Sequence, residues 1–166
     1  MLRIGKLTDY GIDLLALFAA EHSDLNVQGG SAAALSRLSG VPLPTVRKLC
    51  KLLSRGGVII ASRGVSGGYR LAKDPRDISI AEVVQILEGP LALTACIADP
   101  GSCSIEQVCG TRTNWIKVNK HIFDSLERVT IADMVSPAST KAAAARPLSQ
   151  SRRSYNAAGT HASANV

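Results

Sequence analysis

The sequence predicts a mostly α-helical fold with a small β-hairpin, a winged helix-turn-helix followed by a long helix. Three features lead to this class: two short helical segments around a glycine-containing turn, a strand–turn–strand segment directly after them, and a longer amphipathic segment beyond. With 166 residues and 46% hydrophobic content, the chain can bury a core of its own.

The first predicted helix runs from Thr8, a residue type that caps helix N-termini, to about Glu21. Its apolar residues recur at helical spacing and give it one buried face. Ser31 is the expected cap of a short second helix over residues 32–39. Gly40 and Pro42 then interrupt the helical pattern, as in the turn of a helix-turn-helix.

The third predicted helix, residues 44–54, has a buried face and a basic face. Val46, Leu49 and Leu53 fall on the inward side, together with Cys50, whose isolated position favours packing over chemistry. The outward positions are Thr45, Arg47, Lys48, Lys51 and Arg55. Helix pairs with polar outer faces are common, so the segment that follows decides the interpretation.

That segment predicts a hairpin: a strand over residues 58–62, a glycine-rich turn over 63–68 and a return strand over 69–71. The turn is not a phosphate-binding loop, because it joins two strands and lacks the lysine of a P-loop. With the helix-turn-helix at about 31–54 and the wing at about 58–72, residues 1–78 form a winged-helix domain. Arg63 and Arg70 on the wing would face DNA phosphates or the minor groove.

Positive charge is concentrated in this domain. The net charge of the chain is +6, yet residues 25–73 contain no acidic residue and eight basic ones. A solvated surface normally mixes both signs, whereas a one-sided basic surface is typical of nucleic-acid binding. The sequence therefore predicts double-stranded DNA as a partner.

Residues 79–134 contain two further predicted helices. Ser79 and Glu82 form a capping-box pattern for a helix that ends before Gly89. A long helix over about 113–128 has a seam with coiled-coil spacing, made of Trp115, Asn119, Ile122, Leu126 and Val129. Such a seam fits pairing with a second copy in a homodimer, and equally fits packing on the chain's own domain. Residues 135–166, without acidic residues, are predicted to be a disordered basic tail.

Three of the four cysteines, Cys96, Cys103 and Cys109, lie in a predicted loop, where three thiolates can converge on a soft metal or an iron–sulphur cluster. No secretory signal or membrane span is recognisable, which predicts a cytoplasmic chain with reduced thiols. Buried cysteines, a disulfide with a spare thiol, and a structural zinc site are the alternatives. The spacing matches neither a zinc ribbon nor a thioredoxin-like pair. Without metal, the loop over residues 91–110 is expected to be mobile, because it offers little apolar surface to bury.

The chain resembles winged-helix iron–sulphur cluster transcription regulators of the IscR/NsrR type over residues 1–134. The resemblance is carried by LTDYGIDLL, VPLPTVRKLCKLL, SRGVSGGYRLAKDPRDISIAEVV and the three cysteines after EGP. The stretch NWIKVNKHIFDSLERVTIADM is most similar to the branch that regulates the SUF cluster-assembly operon. The resemblance implies a homodimer with an iron–sulphur cluster, 2Fe-2S or 4Fe-4S, in each subunit. Residues 79–134 would then be the cluster-binding loop and dimerisation helix.

By position, Cys96, Cys103 and Cys109 match the three ligand cysteines of that family. The histidine ligand of the IscR-like members is replaced here by Arg112, which keeps its proton and cannot ligate. The NsrR-like members use an aspartate from the first helix of the partner subunit, and Asp9 matches it. A first-turn acid favoured by the helix dipole explains Asp9 equally well. Asp99, Glu106, a thiol or water could also complete the site.

The expected function is a redox-sensing repressor of iron–sulphur cluster assembly genes. Catalysis is not expected, because the sequence shows no Ser/His/Asp set and no pair of carboxylates placed by a motif. Two alternatives remain open. One is a cluster-free regulator of the same family that senses a small molecule or a protein partner, and the other is a zinc or thiol redox protein.

Overall fold

A computed structural model of the chain describes residues 3–22, 30–64 and 67–135. In chain order these residues form α1 (Lys6–His22), α2 (Ala32–Ser39), α3 (Leu43–Arg55), β1 (Ile59–Ser62), β2 (Gly68–Leu71), α4 (Ile80–Glu88), α5 (Ala95–Ala98), α6 (Arg112–Glu127) and α7 (Ile131–Met134). The predicted class, mostly helical with a hairpin wing, is confirmed. The predicted tail lies outside the described residues from position 136 onward. None of the helices in the described part of the chain has the length and apolar character needed to cross a membrane.

The start of α1 is fixed by a contact from far along the chain. The helix begins at Lys6, so the predicted N-cap at Thr8 is wrong. The Gly5 carbonyl accepts hydrogen bonds from the amides of Thr8 and Asp9, and the Gly5 amide donates to Glu88 Oε1 at 2.7 Å. Thr8 is fully buried, and its hydroxyl has no hydrogen-bond partner among the described residues. A carboxylate 83 residues away therefore stabilises the helix start that a local cap was expected to fix.

The helix-turn-helix follows its local signals closely. Ser31 Oγ accepts a hydrogen bond from the Ala34 amide at 3.2 Å. α2 ends at Gly40, whose φ of 71° is a left-handed conformation that glycine adopts without strain. α3 extends one residue beyond the prediction at each end. Its inward residues Val46, Leu49, Cys50 and Leu53 are all fully buried, as predicted.

The wing is a two-stranded antiparallel hairpin. β1 pairs with β2 so that Ile59 lies opposite Leu71 and Ser62 opposite Gly68. The Tyr69 amide donates to the Gly30 carbonyl at 3.1 Å, which joins the hairpin to the chain just before α2. The wing is thereby held in a defined position relative to the helix-turn-helix.

A single aliphatic core joins the two predicted segments, 1–78 and 79–134. Buried residues of α1, α3 and the strands belong to the same cluster as Val83 and Val84 of α4 and Ile131 of α7. α1 packs against both α4 and α7, and α6 packs against α4. Residues 91–110, called the cysteine segment below, therefore connect α4 to α6, and both of these helices pack in the unit that carries the helix-turn-helix.

A substitution at Gly56, at the C-terminal end of α3, tests how closely α3 packs against α4. A Cβ there would lie 2.6–2.9 Å from three side-chain carbons of Ile86 on α4. Gly56→Ala is expected to lower the free energy of unfolding by about 1–3 kcal/mol, because the packed isoleucine must shift. Urea denaturation of the reduced, metal-free protein measures this change.

The matched control is Gly110→Ala, since a Cβ at Gly110 meets no atom of the described residues within 4 Å. Its expected change is below about 0.5 kcal/mol. Equal stability of Gly56→Ala and the wild type would contradict the close approach of α3 to α4.

Candidate nucleic-acid interface and cysteine loop

The outward side of α3 presents a basic surface. Arg47, Lys48, Lys51 and Arg55 are exposed, and Thr45 is half-buried. They lie on the side of the helix away from its buried stripe, and α3 contains no acidic residue. In a helix-turn-helix, the second helix is the one that enters the major groove. The predicted DNA-contact residues of α3 therefore lie on its solvent-facing side, where a DNA groove could reach them, and their contact with DNA stays a prediction.

The two wing arginines extend this surface. Arg63 follows β1, and Arg70 lies on β2 opposite Ile60; both side chains are exposed. Lys73, just after the wing, differs because its ammonium group pairs with Glu82 Oε2 at 2.8 Å. Glu82 was expected to complete a capping box. Ser79 Oγ does accept from the Glu82 amide at 3.1 Å, while the Glu82 carboxylate binds Lys73.

The cysteine segment is more ordered than a plain loop. Cys96 lies on α5, whose four residues form one short helical turn, and the chain then turns at Asp99 to Ser102. A second turn, the 3₁₀ segment Glu106–Val108, leads into Cys109 just before α6. Cys96, Cys103 and Cys109 are free thiols and partly exposed. The three side chains are therefore accessible to a metal or an oxidant.

The surroundings of Cys109 and of Cys50 shift the pKa of these two thiols in opposite directions. The Thr111 hydroxyl, 3.4 Å from Cys109 Sγ, lowers the pKa of Cys109 below its usual value, with smaller contributions from the Thr111 and Arg112 amides and the Arg112 charge. Burial has the opposite effect on Cys50 and raises its pKa to about 11. Cys50 is thus a packed, protonated thiol, whereas the lowered pKa of Cys109 shifts its equilibrium toward the thiolate, the form that binds metals.

The thiols do not form a closed metal site in this arrangement. Cys103 and Cys109 line one open cleft together with Glu106 and Arg112, and Cys96 is not among its lining residues. Within residues 3–22, 30–64 and 67–135, no three His, Cys, Asp or Glu side chains converge as metal ligands would. Three partly exposed thiols on one segment still fit an iron–sulphur cluster in donor chemistry. Binding would require Cys96 to approach the cleft of the other two cysteines.

Asp9 lies apart from the cysteines of its own chain. Its side chain is exposed in the first turn of α1. It lines a second cleft with Ile4, Ile12 and Met134, and no cysteine contributes to that cleft. Among the described residues, Asp9 does not converge with two cysteines as metal ligands would, and its role as a ligand from the partner subunit stays a prediction.

Two polar contacts in the cysteine segment were not foreseen from the sequence. Glu106 forms an ion pair with Arg112, with Oε1 2.9 Å from Arg112 Nη2, and its Oε2 accepts from the Gly101 amide at 2.6 Å. Asn119, predicted as a seam residue, binds the backbone of the segment just before Cys96. For Asn119, the sequence did contain a signal, because an amide side chain at an otherwise apolar position of the seam indicates a specific polar contact.

The remaining seam residues divide between the chain's own core and the surface. Leu126 packs against the core, whereas Trp115 is 44% exposed and Val129, just beyond α6, is 37% exposed. Ile122 is half-buried. Ile116 and Val118 add exposed apolar surface to the first half of α6. This surface suits a protein contact, and its use in a dimer stays a prediction.

Several transcriptional regulators are similar to this chain in sequence and fold. The family model described as "Rrf2: Iron-dependent Transcriptional regulator" matches residues 4–137. Protein rrf2 of Nitratidesulfovibrio vulgaris is 32% identical over 130 residues, which cover 78% of this chain and 85% of that protein. The structure of T. potens IscR has a TM-score of 0.61 and 27% identity, covering 82% of this chain and 88% of that one. CymR, the global cysteine regulator of B. subtilis, shares the fold with a TM-score of 0.63 and 21% identity, over 81% of this chain and 97% of its own.

The lowered pKa of Cys109 makes its reactivity testable. In the reduced, metal-free protein, iodoacetamide is expected to alkylate Cys109 with a pH midpoint below that of an ordinary thiol, while buried Cys50 stays unmodified through neutral pH. Peptide mass spectrometry after alkylation between pH 6 and 10 measures both. Thr111→Val removes the hydroxyl and should raise the Cys109 midpoint. An unchanged midpoint in that variant would rule out the Thr111 contact as the cause.

Proposed function

The chain belongs to the Rrf2 family of transcriptional regulators, and on this premise we propose that it is a repressor that senses iron–sulphur state through Cys96, Cys103 and Cys109. The proteins it resembles are DNA-binding regulators rather than enzymes. The observation that carries the proposal is the position of three partly exposed thiols on one segment between α4 and α6, in the same body as the helix-turn-helix.

The three cysteines would supply the ligands of a cluster. An iron–sulphur cluster held there would give the protein a redox-active centre. Cys109 is prepared for ligation, because its surroundings favour the thiolate. Thiolates brought together repel one another until a metal neutralises them, which makes the segment sensitive to metal loss. Asp9 of the partner subunit is the proposed fourth ligand.

DNA recognition would use α3 and the wing. Arg47 and Lys48 would contact base edges in the major groove, while Thr45, Lys51 and Arg55 would contact the phosphate backbone. Arg63 would approach the minor groove, and Arg70 the phosphates beside it. The target genes we propose are those of iron–sulphur cluster assembly, because the sequence of α6 and α7 resembles the SUF regulator branch.

Two recognition helices are needed to bind paired half-sites, so the proposal includes a homodimer. The exposed apolar surface on the first half of α6 supports it, and Trp115 is its largest side chain. Aromatic residues of this kind often supply most of the binding energy of an interface.

A cluster-free regulator is the second candidate. It is favoured by the absence of three converging metal-ligand side chains among the described residues. The fold alone does not identify the signal, since it is shared with the global cysteine regulator CymR. A zinc or thiol redox protein is less well supported, because it would not need the basic stretch over residues 25–73, which contains no acidic residue.

The visible absorption of anaerobically prepared protein separates these candidates. Cys96→Ala, Cys103→Ala and Cys109→Ala are each expected to abolish the iron–sulphur absorption, because each removes a thiolate ligand. Cys50→Ala is the control and should keep it, since Cys50 is buried in the core. A colourless wild type that binds zinc would overturn cluster sensing.

The same spectrum tests the fourth ligand. Asp9→Ala is expected to weaken or alter the absorption, because an oxygen ligand would be lost at one position of the cluster. An unchanged spectrum would remove Asp9 from the site and leave the three cysteines in place.

Variants of a base-contacting residue and of a phosphate-contacting residue are expected to affect DNA binding differently. Arg47→Ala is expected to weaken the free energy of binding to the preferred DNA sequence by about 1–3 kcal/mol, because a base contact is lost. Discrimination between DNA sequences should fall with it. Lys51→Ala should weaken binding to all sequences and reduce the salt dependence by about one counterion. Fluorescence anisotropy at several salt concentrations measures both effects. Lys120→Ala, on α6, is the control, and the assignment fails if all three variants bind alike.

The dimer proposal predicts the effect of a charge on the exposed surface of α6. Trp115→Asp should raise the dimer dissociation constant by more than about tenfold, because it removes an aromatic contact and buries a carboxylate. Asn114→Asp introduces the same charge at a neighbouring exposed position and should have little effect. Sedimentation at micromolar concentration measures the association, and equal behaviour of the two variants would contradict this interface.

A further inference from the structure

The segment that precedes Cys96 is bound by one side chain of α6. Asn119 Oδ1 accepts from the Leu93 amide at 3.0 Å, and Asn119 Nδ2 donates to the Leu91 carbonyl at 3.0 Å. A side-chain amide carries one acceptor and one donor side, so it can satisfy a backbone carbonyl and a backbone amide together. Both backbone groups lie only a few residues before Cys96, so this contact fixes where the cysteine segment begins.

The segment that contains Cys103 and Cys109 is bound by a second side chain of α6. Arg112 contacts Glu106 Oε1 through Nε at 3.1 Å and through Nη2 at 2.9 Å, and Glu106 Oε2 accepts from the Gly101 amide at 2.6 Å. The Glu106 side chain is 13% exposed and that of Arg112 is 39% exposed, so the ion pair is shielded from water mainly on its carboxylate side. One carboxylate thus joins the turn before Cys103 to the first turn of α6.

These contacts share one helix face. Arg112 and Asn119 are seven positions apart on α6, which is about two helical turns, so their side chains point to the same side. We infer that Arg112 and Asn119 are positioning residues that hold the two ends of the cysteine segment in the metal-free protein. The inference rests on the proposed function only in taking the three cysteines as metal ligands.

This role accounts for the arginine at position 112 and bears on Glu106 as a candidate ligand. Arg112 occupies the position at which IscR-like regulators have a ligating histidine, and here its guanidinium binds Glu106 instead. Glu106, a nearby candidate for the fourth ligand, already has both carboxylate oxygens in hydrogen bonds. The sequence predicts a mobile segment without metal, and these contacts would restrict that mobility near Leu93 and Gly101. Fixed ends lower the chain entropy lost on metal binding, and only the stretch between Leu93 and Gly101, which carries Cys96, would have to move to complete the site.

Amide hydrogen exchange in the reduced, metal-free, full-length protein tests the contacts directly. Asn119→Leu should speed exchange of the Leu93 amide by about fivefold and leave Gly101 unchanged, because only the first contact is lost. Arg112→Met should have the reverse pattern, and Arg112→Lys, which keeps the charge, should restore part of the Gly101 protection. Asn114→Leu and Lys117→Met, at exposed positions of the same helix, are the matched controls and should change neither amide.

Titration with cobalt(II) alone tests positioning of the thiols. Asn119→Leu and Arg112→Met should bind cobalt(II) about fivefold more weakly, with the thiolate-to-cobalt absorption bands at unchanged wavelengths, whereas the controls bind like the wild type. The inference is overturned if Leu93 and Gly101 exchange at unprotected rates in the wild type, or if both variants bind cobalt(II) as the wild type does. Protected amides and weakened cobalt binding in a protein that forms no iron–sulphur absorption would uphold the positioning role while rejecting the proposed function.

Discussion

Two main-chain hydrogen bonds fix the geometry on which the rest of the molecule depends. The Ile80 amide donates to the Val129 carbonyl and the Ile131 amide to the Ile78 carbonyl, each at 2.8 Å, beside the buried side chains of all three isoleucines. These bonds join the start of α4 to the chain just after α6. The cysteine segment therefore connects the C-terminal end of α4 to the N-terminal end of α6, while the two hydrogen bonds join the opposite ends of these helices. A change in its shape must act on α4, on α6 or on both.

Either helix offers a short route to DNA binding. α4 packs directly on the DNA-binding module, because Ile86 lies against Gly56 at the end of α3. α6 carries the exposed apolar surface proposed for the dimer, and the dimer sets the spacing of the two recognition helices. A cluster-dependent shift of a helix could thus alter DNA affinity through one layer of contacts. No extended pathway through the protein is required, which is the simplest physical form of coupling between two sites.

Local signals in the sequence were enough for most of the fold. The Ser31 cap, the Gly40 turn and the buried stripe of α3 could be predicted because each depends on neighbours within a few residues. Contacts that join distant residues could not. Gly5 pairs with Glu88 across 83 residues, and Asn119 binds the backbone 26 and 28 residues away, so neither leaves a periodic pattern. For the same reason the sequence located three candidate ligands on one segment but could not show that Cys96 lies outside the cleft lined by Cys103 and Cys109.

The proposed control of DNA binding by the iron–sulphur cluster can be followed in a single time course. Anaerobically prepared protein is mixed with a fluorescent DNA duplex selected from a random pool, and absorption and anisotropy are followed together after air is admitted. If the cysteine segment acts through α4 and α6, the iron–sulphur absorption and the DNA-bound fraction change with the same time constant. Loss of the absorption with no change in the bound fraction would contradict cluster control and leave a DNA-binding protein that responds to another signal.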